Sequence, residues 1–282
     1  MKDCHRTIVV AVAVSLAASS FAGAQVLTGA GVASAAQAAA QTGQGATNAA
    51  AQVAAAEPSP RERALDAFRI GSWAEAIELV ARMDDEDFDS EILYYVGFCY
   101  KEGLALKHDY AEAFHWFKSA AQAGHAGAQW ELGRAYEKGR GVVKNDCEAA
   151  AWYRKSAQGG NVAAALQLAG MCEKGRGTQQ NPVEAAKWYR VASNLGSEAA
   201  TYQLGAMYEE GRGVLQSEEE AAKLFREAAS AGHAKAARRL GKLYEDGRGV
   251  EKSGIEAKFW YRRAVELGDA EAASGLARLK GL

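Results

Sequence analysis

Proline is nearly absent from this sequence, with 3 residues in 282. Pro is by far the worst residue for a helix interior and Ala the best, so a chain this poor in Pro and rich in Ala is composed for helix. An excess of charge of one sign is also missing: 33 basic and 35 acidic residues leave a formal net charge of −2. Nucleic-acid binding needs a basic face to replace phosphate counterions, and membrane-surface binding needs a polybasic patch; the balance argues against both. Cysteine is scarce, at 4 residues. That is too few for a dense disulfide framework, so the fold must stand on packing. The early apolar segment, residues 7–18, is too short to span a bilayer comfortably.

That segment fits a different purpose. Lys2 and Arg6 precede it and Ala22-Gly23-Ala24 follows it. A basic start, a short apolar stretch and a small-x-small site form an export signal, which predicts cleavage after Ala24 and a periplasmic or secreted protein. An uncleaved anchor is the alternative. Loss of Lys2, Asp3 and Arg6 moves the net charge from −2 to −3, and loss of Cys4 leaves Cys99, Cys147 and Cys172. Three thiols in an oxidising compartment allow at most one bridge within the chain, and Cys147 with Cys172 is the candidate pair. The alternative is buried thiols. Residues 25–60 lack large apolar side chains. They cannot bury enough surface to offset their ordering entropy, and a flexible tether is expected there.

From residue 90 the sequence repeats. Leu132-Gly133-x-x-Tyr136-Glu137-x-Gly139-Arg140-Gly141 returns, altered, at Leu168-Ala169 with Cys172-Glu173-x-Gly175-Arg176-Gly177, then from Leu204 and from Leu240; a degenerate copy starts at Val96-Gly97. The period is 36 residues without insertion, giving units 90–125, 126–161, 162–197, 198–233 and 234–269. A constant period of this length signals stacked supersecondary units. Each unit carries two amphipathic helices, A and B. Helix B is announced by Asp109, Asn145, Asn181, Ser217 and Ser253, each followed three residues later by Glu, the arrangement of a capping box. Residues 61–89 read as a further helix pair, and residues 270–282 as one more helix A that caps the stack.

The run Ala-x-x-x-Leu-Gly-x-x-Tyr-Glu-x-Gly-Arg-Gly-Val, followed by Glu-Ala-Ala-x-Trp-Tyr-Arg-x-Ala-Ala, resembles the Sel1-like repeat family, a tetratricopeptide relative. The resemblance covers residues 90–282, with a looser match at 61–89. It implies an all-α fold, a right-handed α/α superhelix (solenoid) whose A helices line a concave face. It also implies a tetratricopeptide-like helix pair at 61–89 and a role as an adaptor, regulator or virulence-related interaction protein. The first unit departs from the pattern, with Leu104-Ala105-Leu106 in place of Arg-Gly-Val.

Catalytic motifs are missing. No phosphate-binding Gly-x-x-x-x-Gly-Lys, no Gly-x-Ser-x-Gly and no His-Glu-x-x-His occurs. Cysteine-rich members of the family have been described as β-lactam-hydrolysing, which makes a secreted β-lactamase-like hydrolase the enzymatic alternative; against it, Ser-x-x-Lys and Lys-Thr-Gly are absent here. No enzyme, cofactor or metal site is expected, and His108 and His115 read as solvated. The repeated Glu137/Arg140, Glu173/Arg176, Glu209/Arg212 and Glu245/Arg248 pairs read as structural, each Arg bonding the last carbonyls of its helix.

Variation within the repeat locates the function. In a tetratricopeptide-like stack the fifth position of helix A faces the groove; here it holds Tyr94, Trp130, Leu166, Tyr202 and Arg238. The ninth holds Phe98, Arg134, Gly170, Ala206 and Lys242. Aromatic and Arg side chains dominate interfaces. The predicted ligand is a protein or peptide with apolar and acidic portions, in keeping with a groove that turns basic at Arg238 and Lys242. The competing reading has Trp130 and Tyr202 packed on the neighbouring A helix. A glycan-associated envelope factor, stacking sugars on the aromatics, is the other binding alternative.

Overall fold

The computed structural model describes residues 58–84 and 87–279. The expected signal, its cleavage site, nearly all of the tether and residues 280–282 lie outside the described residues. Among the described residues there are thirteen helices and no strand. The chain divides into two compact units between His108 and Asp109. The boundary falls inside the first 36-residue period, between its two helices.

In the first unit, α1 (Pro60–Arg69), α2 (Trp73–Ala81) and α3 (Ser90–Glu102) pack around Leu65, Phe68, Ile77, Val80, Ile92 and Val96. Ser59 and Glu62 complete a reciprocal capping box at the start of α1. Arg61 donates to Asp89, the N-cap of α3, at 2.7 Å. Phe68 stacks on Tyr95 with ring centroids 4.9 Å apart.

The second unit runs through α4 (Tyr110–Gln122), α5 (Ala126–Lys138), α6 (Asp146–Gln158), α7 (Val162–Lys174), α8 (Pro182–Asn194), α9 (Glu198–Glu210), α10 (Glu218–Ser230), α11 (Ala234–Asp246), α12 (Gly254–Glu266) and α13 (Ala272–Leu279). Each helix packs on the next along the chain, the simplest way for a repeat that cannot bury its own apolar face to bury it on a neighbour. This is the α/α superhelix of repeats. The side chains at Asn145, Asn181, Ser217 and Ser253 cap the B helices by accepting from backbone N–H groups of the first turn. The reciprocal half of the expected capping box is not made in these helices: Glu184 and Glu256 accept instead from the indole N–H groups of Trp188 and Trp260, at 2.9 and 3.2 Å, and Glu220 from Lys223 at 2.6 Å.

The loop between A and B needs its second Gly twice over. Gly141, Gly177, Gly213 and Gly249 have φ between +66° and +70°. A Cβ at Gly177 would also collide with the backbone carbonyl of Asp146, at the start of the preceding B helix. In the degenerate first repeat the same place is held by Ala105 at φ +58°. The loop keeps its left-handed turn there without Gly, and Leu106 next to it is buried.

Candidate functional site

The Glu and Arg of the repeat bond across repeats, which corrects the expectation that each Arg caps its own helix. Glu137 on α5 accepts from Tyr153 on α6 at 2.7 Å and from Gln167 on α7 at 2.8 Å, and it pairs with Arg176 of the following loop. Glu173 repeats the pattern with Tyr189, at 2.9 Å, and with Arg212. Glu209 faces Phe225 instead of Tyr, and Arg239 fills the gap at 3.0 Å, with Arg248 at 3.6 Å. Glu245 takes Tyr261 at 2.6 Å and Arg278 of α13 at 3.0 Å. The bonds from Arg278 and Tyr261 outweigh burial and hold Glu245 down at about 2. Burial and the facing carboxylates push Tyr153, Tyr189 and Tyr261 up. Lys101 stands where the first repeat would carry this Glu, and Arg140 accordingly lies over the Tyr110 ring at 5.3 Å.

These bonds occupy the constant positions of the repeat. The varying positions sit differently. In the first unit Tyr94 and Phe98 lie 6.4 Å apart between centroids, with Phe98 also against Trp73 at 5.8 Å. In the second unit Trp130 is half-buried, its ring 5.0 Å from Tyr153 of its own repeat, and Arg134 lies over it at 5.9 Å. Tyr202 packs on Phe225 at 5.7 Å and stacks on His233 at 4.5 Å. Both aromatics therefore rest on helix B of their own repeat, and Tyr202 also on His233, the last residue of that repeat and the N-cap of α11. Leu166 and Gly170 are half-buried and Ala206 is buried. The basic end is already paired: Arg238 meets Asp269 at 2.7 Å and Glu271 at 3.0 Å, and Lys242 meets Asp246 at 3.0 Å. Arg238 and Lys242 share an open cleft of about 600 Å³ with α13.

The Cys147–Cys172 bridge is not formed. Cys147 is exposed in the first turn of α6, whereas Cys172 is buried in the core at a position where other repeats have Tyr. Burial pushes Cys99 up to about 12. Among the described residues no cluster of His, Cys, Asp or Glu could hold a metal ion, and no helix is long and apolar enough to cross a membrane. Sequence reasoning passed over the position before helix A as a capping site. His125 and His233 accept there, through Nδ1, from the N–H groups of Ala128 and Ala236 at 3.1 and 3.2 Å. The signal was available: Asp89, Asn161 and Ser197 stand at the same place.

Comparison with known proteins agrees with this geometry. The Sel1 repeat profile matches residues 90–125, 126–161, 162–197, 198–233 and 234–269. A Sel1 repeat protein from Oxalobacter formigenes is similar in structure, with a TM-score of 0.70 and 29% identity over 74% of this chain and 86% of that one. So is c5321, described as a protective antigen of uropathogenic Escherichia coli strains with an SLR fold, with a TM-score of 0.66 and 28% identity over 76% of this chain and 43% of that one. No curated protein sequence matches the chain significantly. Repeat proteins of this kind are generally protein-interaction scaffolds and typically not enzymes. With five successive matched repeats across most of its length, the chain belongs to the Sel1 repeat family.

Proposed function

We propose that this chain is an exported scaffold that captures a protein or peptide along its row of A helices. The observation that carries the reading is the division of labour within each repeat. The constant Glu, Arg and Gly positions are consumed in joining repeats, while the fifth and ninth positions change type and keep Trp130, Arg134, Tyr202, Arg238 and Lys242 at least partly in contact with solvent. Half-buried aromatics fixed from behind by a core ring lose little freedom on contact, which suits them as anchors. Tyr94, Phe98 and Leu166 hold the same positions in their repeats. The N-terminal signal pattern supports a periplasmic or secreted location, with residues 25–60 as tether and residues 61–89 and 270–282 as the flanking helical segments.

The test is photocrosslinking of the tagged chain in its own cells. A photoreactive residue placed at 130 or at 202 should give one and the same adduct, and one placed at the exposed Lys223 of α10 should not. Trp130→Ala with Tyr202→Ala should weaken capture about a hundredfold, the loss expected of two central aromatic anchors. Adducts from 223 alone, or undiminished capture by the double variant, would overturn the assignment.

A further inference from the structure

The cleft at the end of the second unit is lined from α11 by Arg238, Arg239 and Lys242, from α13 by Arg278, and from the turn before α13 by Glu271. Four cations thus face one carboxylate. Behind the guanidinium groups stand further acids. Arg238 bonds Asp269 at 2.7 Å, Arg239 bonds Glu209 at 3.0 Å, and Arg278 bonds Glu245 at 3.0 Å. The acids are the hidden members of these pairs: their side chains are 7%, 9% and 17% exposed, against 29%, 40% and 51% for the arginines. Lys242 is held by Asp246 at 3.0 Å and Glu245 at 3.7 Å.

Each Arg pair is therefore a dipole with its positive end toward the cleft. An anion entering the cleft meets the guanidinium first and the buried carboxylate at greater range, so attraction exceeds repulsion. The pairing also fixes the guanidinium groups, so little side-chain freedom remains to be lost on binding. Arg238 already holds two carboxylates at once, buried Asp269 and, at 3.0 Å, Glu271, whose side chain is 77% exposed.

We propose that this cleft binds an acidic stretch of a peptide partner, and that Glu271 occupies the place of one ligand carboxylate when the partner is absent. The proposal rests on the helix-A reading above. Arg238 and Lys242 hold on α11 the positions that Trp130 and Arg134 hold on α5, so a peptide laid along the A helices reaches the cleft at one end. Cations drawn from two helices around a cavity of about 600 Å³ suit carboxylates spaced along a chain better than one compact anion.

Fluorescence anisotropy of fluorescein-labelled hexaglutamate against the full chain tests this, with labelled hexaglutamine as the neutral control. Hexaglutamate should bind, hexaglutamine should not, and added salt should weaken binding. Lys242→Gln should weaken it about fivefold, as should Arg278→Gln where circular dichroism shows the helices intact. Glu271→Gln should tighten it about threefold, because an internal competitor is gone. Equal binding of the two peptides, or no effect of both Lys242→Gln and Glu271→Gln, would overturn the proposal. Competition by inorganic phosphate as effective as by unlabelled hexaglutamate would overturn the peptide assignment in favour of a small-anion site. The two readings fail separately. Hexaglutamate binding without crosslinks from 130 and 202 overturns the groove and leaves the cleft, and the reverse overturns the cleft alone.

Discussion

Ala105 holds a left-handed turn, φ +58°, that the four later repeats give to Gly. A Cβ makes that conformation unfavourable for an L-residue by about 1–2 kcal/mol, part of which Gly returns as extra freedom in the unfolded chain. Ala105→Gly should therefore raise the unfolding free energy by about 0.5–1 kcal/mol, read from urea denaturation. Gly177→Ala should do the opposite and more strongly, costing about 3 kcal/mol, since the new Cβ meets the Asp146 carbonyl as well as the positive φ. His233 ties one helix cap to its protonation state. Its Nδ1 must be unprotonated to accept from Ala236. Burial lowers its pKa and Lys235 adds to that, while Glu198 opposes it. A histidine depressed in the folded state binds fewer protons there than in the unfolded chain. Its contribution is complete above the ordinary value of 6.5 and is lost as pH falls through the folded value. His233→Asn keeps the cap, as Asn161 does at its own helix, and removes the titration. The fall in melting temperature on acidification below about pH 6.5 should be smaller in that variant than in the parent.

At the scale of helices, one carboxylate joins three elements. Glu137 ties α5 to α6 through Tyr153 and to the following repeat through Gln167 and Arg176. Glu137→Gln keeps the shape but discards the charge that both Tyr153 and Arg176 address; a loss of about 2 kcal/mol is expected in denaturant unfolding. Tyr153→Phe should cost only about 1 kcal/mol, because it removes one donor and leaves the carboxylate its other partners. The repeat at 198–233 already lives with Phe225 at that place, and there Arg239 supplies the missing donor. Glu245 follows the same logic with its pKa held at about 2. A depressed carboxylate stabilises the fold above its ordinary pKa, and the contribution disappears as pH falls toward 2.

At the scale of the second unit, stability passes from neighbour to neighbour, and the last helix matters out of proportion to its length. Gly275 lets α13 lie directly on Tyr261, where a Cβ would strike the ring. Arg278 then gives Glu245 the cross-repeat cation that the earlier loops supply as Arg176 and Arg212. A chain ended at Asp269 would expose Tyr261 and leave Glu245 short of its Arg. Amide hydrogen exchange should then rise first in α12 and α11 and least in α5 and α6, since a linear stack frays from its open end. Uniform loss of protection across the unit would contradict that ordering.

The helices, their pairing into repeats and most of the caps are legible in the order of residues alone, because these depend on residues within one turn or one period of each other. Asn145, Gly139 and the 36-residue spacing act locally and can be read locally. That order also separated constant from varying positions, and so nominated Trp130, Tyr202 and Arg238. Which charges meet between repeats follows from the stacking of the helices. Glu137 and Arg140 are three residues apart and look like partners, yet stacking brings Arg176, 39 residues on, to that carboxylate. The basic end read from Arg238 and Lys242 likewise became a set of ion pairs: Arg238 meets Asp269 and Glu271, which precede α13 and lie about one period away along the chain, whereas Lys242 meets Asp246 locally, one turn on along α11. Electrostatic energy depends on distance in space, and in a stack of repeats the near neighbours in space lie one period away along the chain.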